Sequence, residues 1–155
     1  MKASNISAEH SPTIPRRTLK VPHSRVGGRA RMHATALGKA ILAFSDRDFL
    51  DSVLSGPLLH QTEKTITDPA ALRKEVSQVR QERVAYDVEE SRLGLFCVSA
   101  PVFNGQGGPV AGAISVAGAT ELAIAKRYAP AMLATAMALS SAIGSAKRPR
   151  QRSAS

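Results

Sequence analysis

Apolar and polar positions along the chain repeat with two different periods. From Thr35 the apolar residues Leu37, Ile41 and Phe44 recur at helical spacing, which predicts a helix within MHATALGKAILAF, residues 32–44. Ser45 stands where the N-cap of a second helix is expected, with Phe49, Leu50, Val53 and Leu54 on one face and Gly56-Pro57 as its stop. Residues 58–66 read as extended. Thr67-Asp68-Pro69 starts a third helix, because the aspartate can cap free amides and proline loses nothing in a first turn; Leu72, Val76 and Val79 mark its buried stripe. Beyond Arg83 the period shortens, and 84–88, 94–103 and 109–117 read as strands, the last two joined by NGQGG, whose glycines suit a hairpin turn. Residues 18–21 form a further short strand. A C-terminal helix carries Leu122, Ala125, Met132, Ala136, Leu139 and Ile143 on one face, and Pro130 kinks or splits it.

Helices and strands succeed one another without regular β-α-β alternation, which favours an α+β fold with an antiparallel sheet and flanking helices. Only four or five strands are visible, a thin and incomplete sheet for so much apolar helix. At 155 residues and 43% hydrophobic content, one core and one domain are expected. The boundaries read as a disordered tail over 1–17, a folded unit over 18–144 and a basic disordered tail over 145–155. The net charge of +9 suggests nucleic acid until it is located: 1–31 carries +6 and 145–155 carries +4, leaving −1 for 32–144. Basic tails around a neutral core are solvated ends rather than a sequence-specific DNA reader. No run approaches the roughly 18 apolar residues of a membrane span, and no secretory leader is present, so the chain reads as cytoplasmic. The single cysteine, Cys97, excludes an internal disulfide.

Gly38-Lys39 raises the question of a phosphate loop. That motif needs a glycine where His33 stands and a hydroxyl where Ala40 stands, so the loop is excluded. Unpaired amides at the start of the helix remain able to meet an anion, and Ala34, Thr35, Ala36 and Gly38 are small enough to let one approach; close packing against a strand explains the same residues. The histidines His10, His23, His33 and His60 have no ligand spacing with Cys97 or each other, and no metal or cofactor is implied. Ser115 in AGAISVAG lacks the context of a nucleophile elbow. Asp87, Glu89 and Glu90 in YDVEES could be paired carboxylates, but a strand-end loop, solvated at two or more of the three, explains them. Cys97 lies mid-strand in LFCVSAPV, the setting of an inert thiol.

The ordered segments MHATALGKAILAF, TITDPAALRKEVSQVRQERVAYDVEES, GLFCVSAPVFN and GAISVAG resemble the C-terminal effector-binding domain of IclR-type bacterial transcriptional regulators, over roughly Val21 to Gly144. The resemblance implies a GAF-like domain that binds a small carboxylate or aromatic acid between a helix N-terminus and the sheet, without catalysis. It implies that the amides of Thr35, Ala36 and Leu37 face this effector, that Asp87, Cys97 and Ser115 line the cavity, and that Ala117 replaces a second hydroxyl. It further implies a homo-oligomer or pairing with a full-length regulator, with DNA reached only through a helix-turn-helix that is missing here or lies on a partner. The family's helix-turn-helix, and the helix and strand pair that open its effector domain, have no counterpart in residues 1–15. Two alternatives stand beside this reading: a GAF-fold enzyme using Cys97, and a remnant that only oligomerises.

Overall fold

A computed structural model describes residues 29–119 and 121–146; the strand expected at 18–21 and almost all of both tails lie outside the described residues. A 3-10 turn, Met32–Ala34, leads into α1 (Ala36–Phe44), α2 (Arg47–Ser55) and α3 (Pro69–Glu82). Strands β1 (Ala85–Val88), β2 (Phe96–Phe103) and β3 (Val110–Ala119) follow, then α4 (Leu122–Arg127) and α5 (Ala129–Ala146). The strands form one antiparallel sheet in the order β1-β2-β3. The fold is α+β, and among the described residues the sheet has three strands.

Each face of the sheet carries its own core. Ala85 and Ala113 meet α1, α2 and α3 through Ala40, Leu42, Leu54, Leu72 and Val76. On the other face Val98, Ala100 and Val102 pack against Ala125 of α4 and Met132 and Ala136 of α5. Fully burying a leucine such as Leu42 or Leu72 contributes about 1.5–3 kcal/mol, so these two clusters hold the helices to the sheet.

Helix ends follow their caps. The Asp68 carboxylate accepts from the amide of Ala71 at 2.7 Å, with Pro69 in the first turn as expected. Gly56 ends α2. The N-cap of α2 is Asp46, whose side chain accepts from Phe49 N at 2.8 Å, and not Ser45. Ser45 Oγ instead donates back to the carbonyl of Ile41, closing α1. Residues 58–66 are not a strand, and among the described residues none pairs with them in a ladder; the hydroxyls of Thr62 and Thr65 hold this loop instead.

The helix stripes read from the sequence need two corrections. In α1 the buried residues are Ala36, Gly38, Lys39, Ala40, Leu42 and Ala43, while Leu37 is 40% exposed. In α5 Leu139 is also 40% exposed, and Ser140 takes the buried place by accepting from Phe103 N at 2.9 Å and donating to Ala136 O. The C-terminal helix splits at Tyr128, with Pro130 in the first turn of α5, where its missing N–H is harmless. With 18 residues and no charge, α5 is long and apolar enough to cross a membrane, contrary to the sequence reading. It continues through Ser145 and Ala146, the first residues of the expected basic tail.

Candidate effector site

Thr35 is extended and caps α1: its hydroxyl accepts from Gly38 N at 3.1 Å and its carbonyl from Lys39 N at 2.9 Å. The amides of Ala36 and Leu37 are left with no partner inside the helix, at the end where the helix dipole is positive. Gly38 is needed for the turn before it, because a Cβ there would lie 2.2 Å from the carbonyl oxygen of Met32. The glycine of the pair that suggested a phosphate loop serves close backbone packing.

The sheet register assembles the other candidates. Asp87, Cys97 and Ala117 form one row across β1, β2 and β3, and Ala85, Ser99 and Ser115 form the adjacent row. Both rows lie on the α1 face, where Ala36 clusters with Leu95 and Cys97. Thr35, Ala36, Asp87, Cys97, Ser115 and Ala117 thus belong to one face. The side chain of Leu37 points to solvent, so only its amide is available. Ser115 and Ala117 are exposed, because β3 is an edge strand among the described residues and this side of the site is open. The cleft next to Thr35, about 480 Å³, is lined by Arg29, Arg31, His33, Gln61 and Ser91 and does not reach Cys97, Ser115 or Ala117.

Asp87 is 1% exposed and much of its acceptor capacity is taken. One oxygen accepts from the amides of Glu90 at 2.8 Å and Ser91 at 3.2 Å, and the other accepts from the Ser91 hydroxyl. Burial pushes its carboxyl above the usual range, and these hydrogen bonds and the charge of Lys39 oppose that push. Burial, then the negative charge of Asp87, raises the Cys97 thiol to about 12. Roughly one such thiol in 10⁵ is ionised at pH 7, so Cys97 is a poor nucleophile.

A buried ionic cluster beside the site was not expected. Lys39 is 1% exposed, and its ammonium donates to Glu90 at 2.5 Å and Glu75 at 2.9 Å. Glu90 is 5% exposed, its second carboxylate oxygen has no partner among the described residues, and its carbonyl accepts from Thr65 Oγ1 at 2.7 Å. Burial raises the Glu90 carboxyl, while Lys39 lowers it. The reading of YDVEES as mostly solvated is therefore wrong at two positions: Asp87 and Glu90 are buried, and half-buried Glu89 accepts from Gly94 N at 2.8 Å. Lys39 was the available signal, since a lysine amid the small residues of a packed helix needs a buried counter-charge. Among the described residues His33 bonds to the carbonyl of Leu59, and no group of side chains is suited to a metal.

Residues 14–144 match the family described as bacterial transcriptional regulator IclR C-terminal. The regulator KdgR of Escherichia coli is 41% identical over 91 residues, which is 58% of this chain and 35% of that protein. The chain thus spans about a third of the length of such curated relatives. The solved C-terminal domain of E. coli KdgR superposes with a TM-score of 0.62 at 36% identity, covering 73% of this chain and 71% of that domain. The inducer-binding domain of PobR from Acinetobacter, solved with 3-hydroxybenzoic acid, gives 0.61 at 26% identity, covering 69% of this chain and 63% of that one.

Proposed function

This chain belongs to the family of C-terminal domains of bacterial IclR transcriptional regulators, and from that premise we propose that it senses a small organic acid and performs no catalysis. The observation that carries this reading is the meeting of the first turn of α1 with the Asp87-Cys97-Ala117 row and Ser115 on one face of the sheet. The effector's carboxylate accepts from the amides of Ala36 and Leu37, and the helix dipole adds about 0.3–1 kcal/mol. Ser115 donates a second hydrogen bond. Cys97 and Ala117 give the body of the acid an apolar floor, and the methyl of Ala117 selects against a ligand that needs a hydroxyl there. Asp87 positions the 89–91 loop and keeps one face of its carboxylate for a ligand hydroxyl.

The PobR domain with its hydroxybenzoate supports an aromatic acid as one effector class. In this reading residues 18–144 are the folding unit, the chain works in the cytoplasm, and it reaches DNA through a helix-turn-helix outside this domain or on a partner chain. The high thiol pKa of Cys97 argues against an enzyme, as does the description of the relatives as regulators. Thermal denaturation with a panel of benzoates and short keto and hydroxy acids tests the proposal. At least one compound raises Tm, by an amount corresponding to about 2.7 kcal/mol at a hundredfold excess over Kd. Ser115→Ala reduces that shift. A folded sample that responds to none of the panel overturns the reading.

A further inference from the structure

A second cleft lies at the far end of the sheet from the effector face. β1 pairs with residues 96–99 of β2, and among the described residues 100–103 have no strand on that side. This free edge is closed to a further strand, because Pro101 has no N–H and the amide of Phe103 donates to Ser140 Oγ at 2.9 Å. A cavity of about 360 Å³ is left between the edge, α5 and the residue that ends α3. Leu133 and Met137 of α5 and Phe103 of β2 give it an apolar wall, and Met137 is 65% exposed. The turn at Gly105 and Gly107 bounds the cavity without a side chain to fill it.

Among the described residues Arg83 is the only charged group on this cleft. Its guanidinium carbon stands 5.2 Å from the centroid of the Phe103 ring and 5.9 Å from that of Phe44, and the two rings meet edge to face at 5.1 Å. Contact with ring faces holds the cation in place without using its N–H donors. No carboxylate among the described residues pairs with it, in contrast to Lys39 and Arg73. Its backbone is left-handed, with φ 58°, where glycine is the ordinary residue at a helix end. An arginine held by rings, with its fork free and an apolar wall beside it, suits a carboxylate that carries a hydrocarbon body.

We propose that this cleft is a second ligand site, which takes a small aliphatic carboxylate with its head on Arg83 and its chain along Leu133, Met137 and Phe103. A cavity near the low end of the range for ligand pockets fits a body of about six to ten carbons. The flexible Leu133 and Met137 side chains accommodate an alkyl chain, whereas the Phe103 ring is already engaged by Arg83 and Phe44. A bare anion would use only the arginine, and an uncharged hydrocarbon only the wall. The site is independent of the effector reading: Phe103 lies six residues beyond Cys97 along β2, about 20 Å, and none of the candidate effector residues lines this cleft.

The test is a titration of the full chain with monomeric octanoate, followed by the methyl signals of carbon-13-labelled methionine. Met137 lines this cleft and Met32 lies in the turn before α1, so the two report separately on this site and on the effector face, whatever the ligand panel gives there. The Met137 signal should shift and saturate with a Kd of about 1 mM or below. Octan-1-ol and acetate, each with half of the recognition, should bind more weakly by about tenfold or more. Arg83→Gly removes the fork while relaxing the left-handed backbone, and Ser141→Glu places a negative charge on an exposed position of the cleft. Each should weaken octanoate by about tenfold or more with the far-ultraviolet spectrum unchanged, and two elements guard against one variant failing to fold. A shift at Met32 without one at Met137, no shift at Met137 up to about 10 mM, octan-1-ol binding as tightly as octanoate, or unchanged affinity in a folded Arg83→Gly or Ser141→Glu variant overturns the proposal.

Discussion

On the α1 side of the sheet a lysine, two carboxylates and a threonine are buried together, whereas on the α5 side an 18-residue helix without one charge lies mostly in water. This inverts the ordinary partition of charge outside and apolar surface inside. The contrast separates a completed face from an unfinished one. Charges are tolerated beneath α1 because they are paired, Lys39 with Glu75 and Glu90 and Asp87 with the 89–91 loop, and one carboxylate oxygen of Glu90 is left over. On α5 the apolar surface stays uncovered among the described residues. Solved relatives of the domain contain more chain, since this one covers only 71% of the KdgR domain.

Lys39→Met breaks the completed face most severely. It leaves Glu90 buried beside Asp87 with no cation between them, and removing one partner of a buried pair costs about 3–5 kcal/mol. Urea denaturation should show this as a large fall in midpoint with little change in slope. A loss below about 1 kcal/mol would mean that water already reaches the cluster. Gly38→Ala follows in size. Alanine favours a helix by about 1 kcal/mol over glycine, yet its Cβ would collide with the Met32 backbone, so a net loss of about 1–3 kcal/mol is expected. The same shift displaces Thr35, so the variant should also lose the Tm response to carboxylates.

Asp87 and Glu90 make the stability of the completed face depend on pH in an uncommon direction. Both carboxyls are raised above their ordinary values, 3.8 and 4.5, by burial. The folded state therefore holds protons more tightly than the unfolded chain. Their contribution is fully present below the ordinary values and is lost as pH rises through the raised ones. Stability measured by urea as pH falls from neutral toward the ordinary carboxylate range should gain from these two groups, and Glu90→Gln should flatten that gain. A profile unchanged by Glu90→Gln would place the titration elsewhere.

The sequence exposed the elements better than the faces. The Asp68-Pro69 start of α3 and the glycine turn between β2 and β3 are local signals, set by capping and backbone freedom, and the structure repeats them. The buried side of α1 was misread because four of its six buried residues are alanine or glycine and a fifth is Lys39, so the larger Leu37 dominated the pattern while pointing to solvent. Lys39 and Glu90 are 51 residues apart, and nothing local reports their pairing. Resemblance to a family named the candidate site, but the row of Asp87, Cys97 and Ala117 exists only through strand register. Leu139 and Ser140 show the same limit in α5: helical spacing admits either, and the amide of Phe103 selects the serine.

The smallest expected effect comes from the same chemistry placed in water. Arg73 and Asp51 join α3 to α2 at 2.7 Å, between the 2.5 and 2.9 Å contacts of Lys39, but their side chains are 54% and 44% exposed. Solvent screens the pair, and ordering two long side chains offsets much of the remaining attraction. Arg73→Ala should therefore cost less than about 0.5 kcal/mol, even less in 0.5 M salt, against several for Lys39→Met. Both measurements belong to one urea series, at low and high salt. If the two losses were alike, burial would not be what gives the Lys39 cluster its strength, and the contrast between the two faces would lose its physical basis.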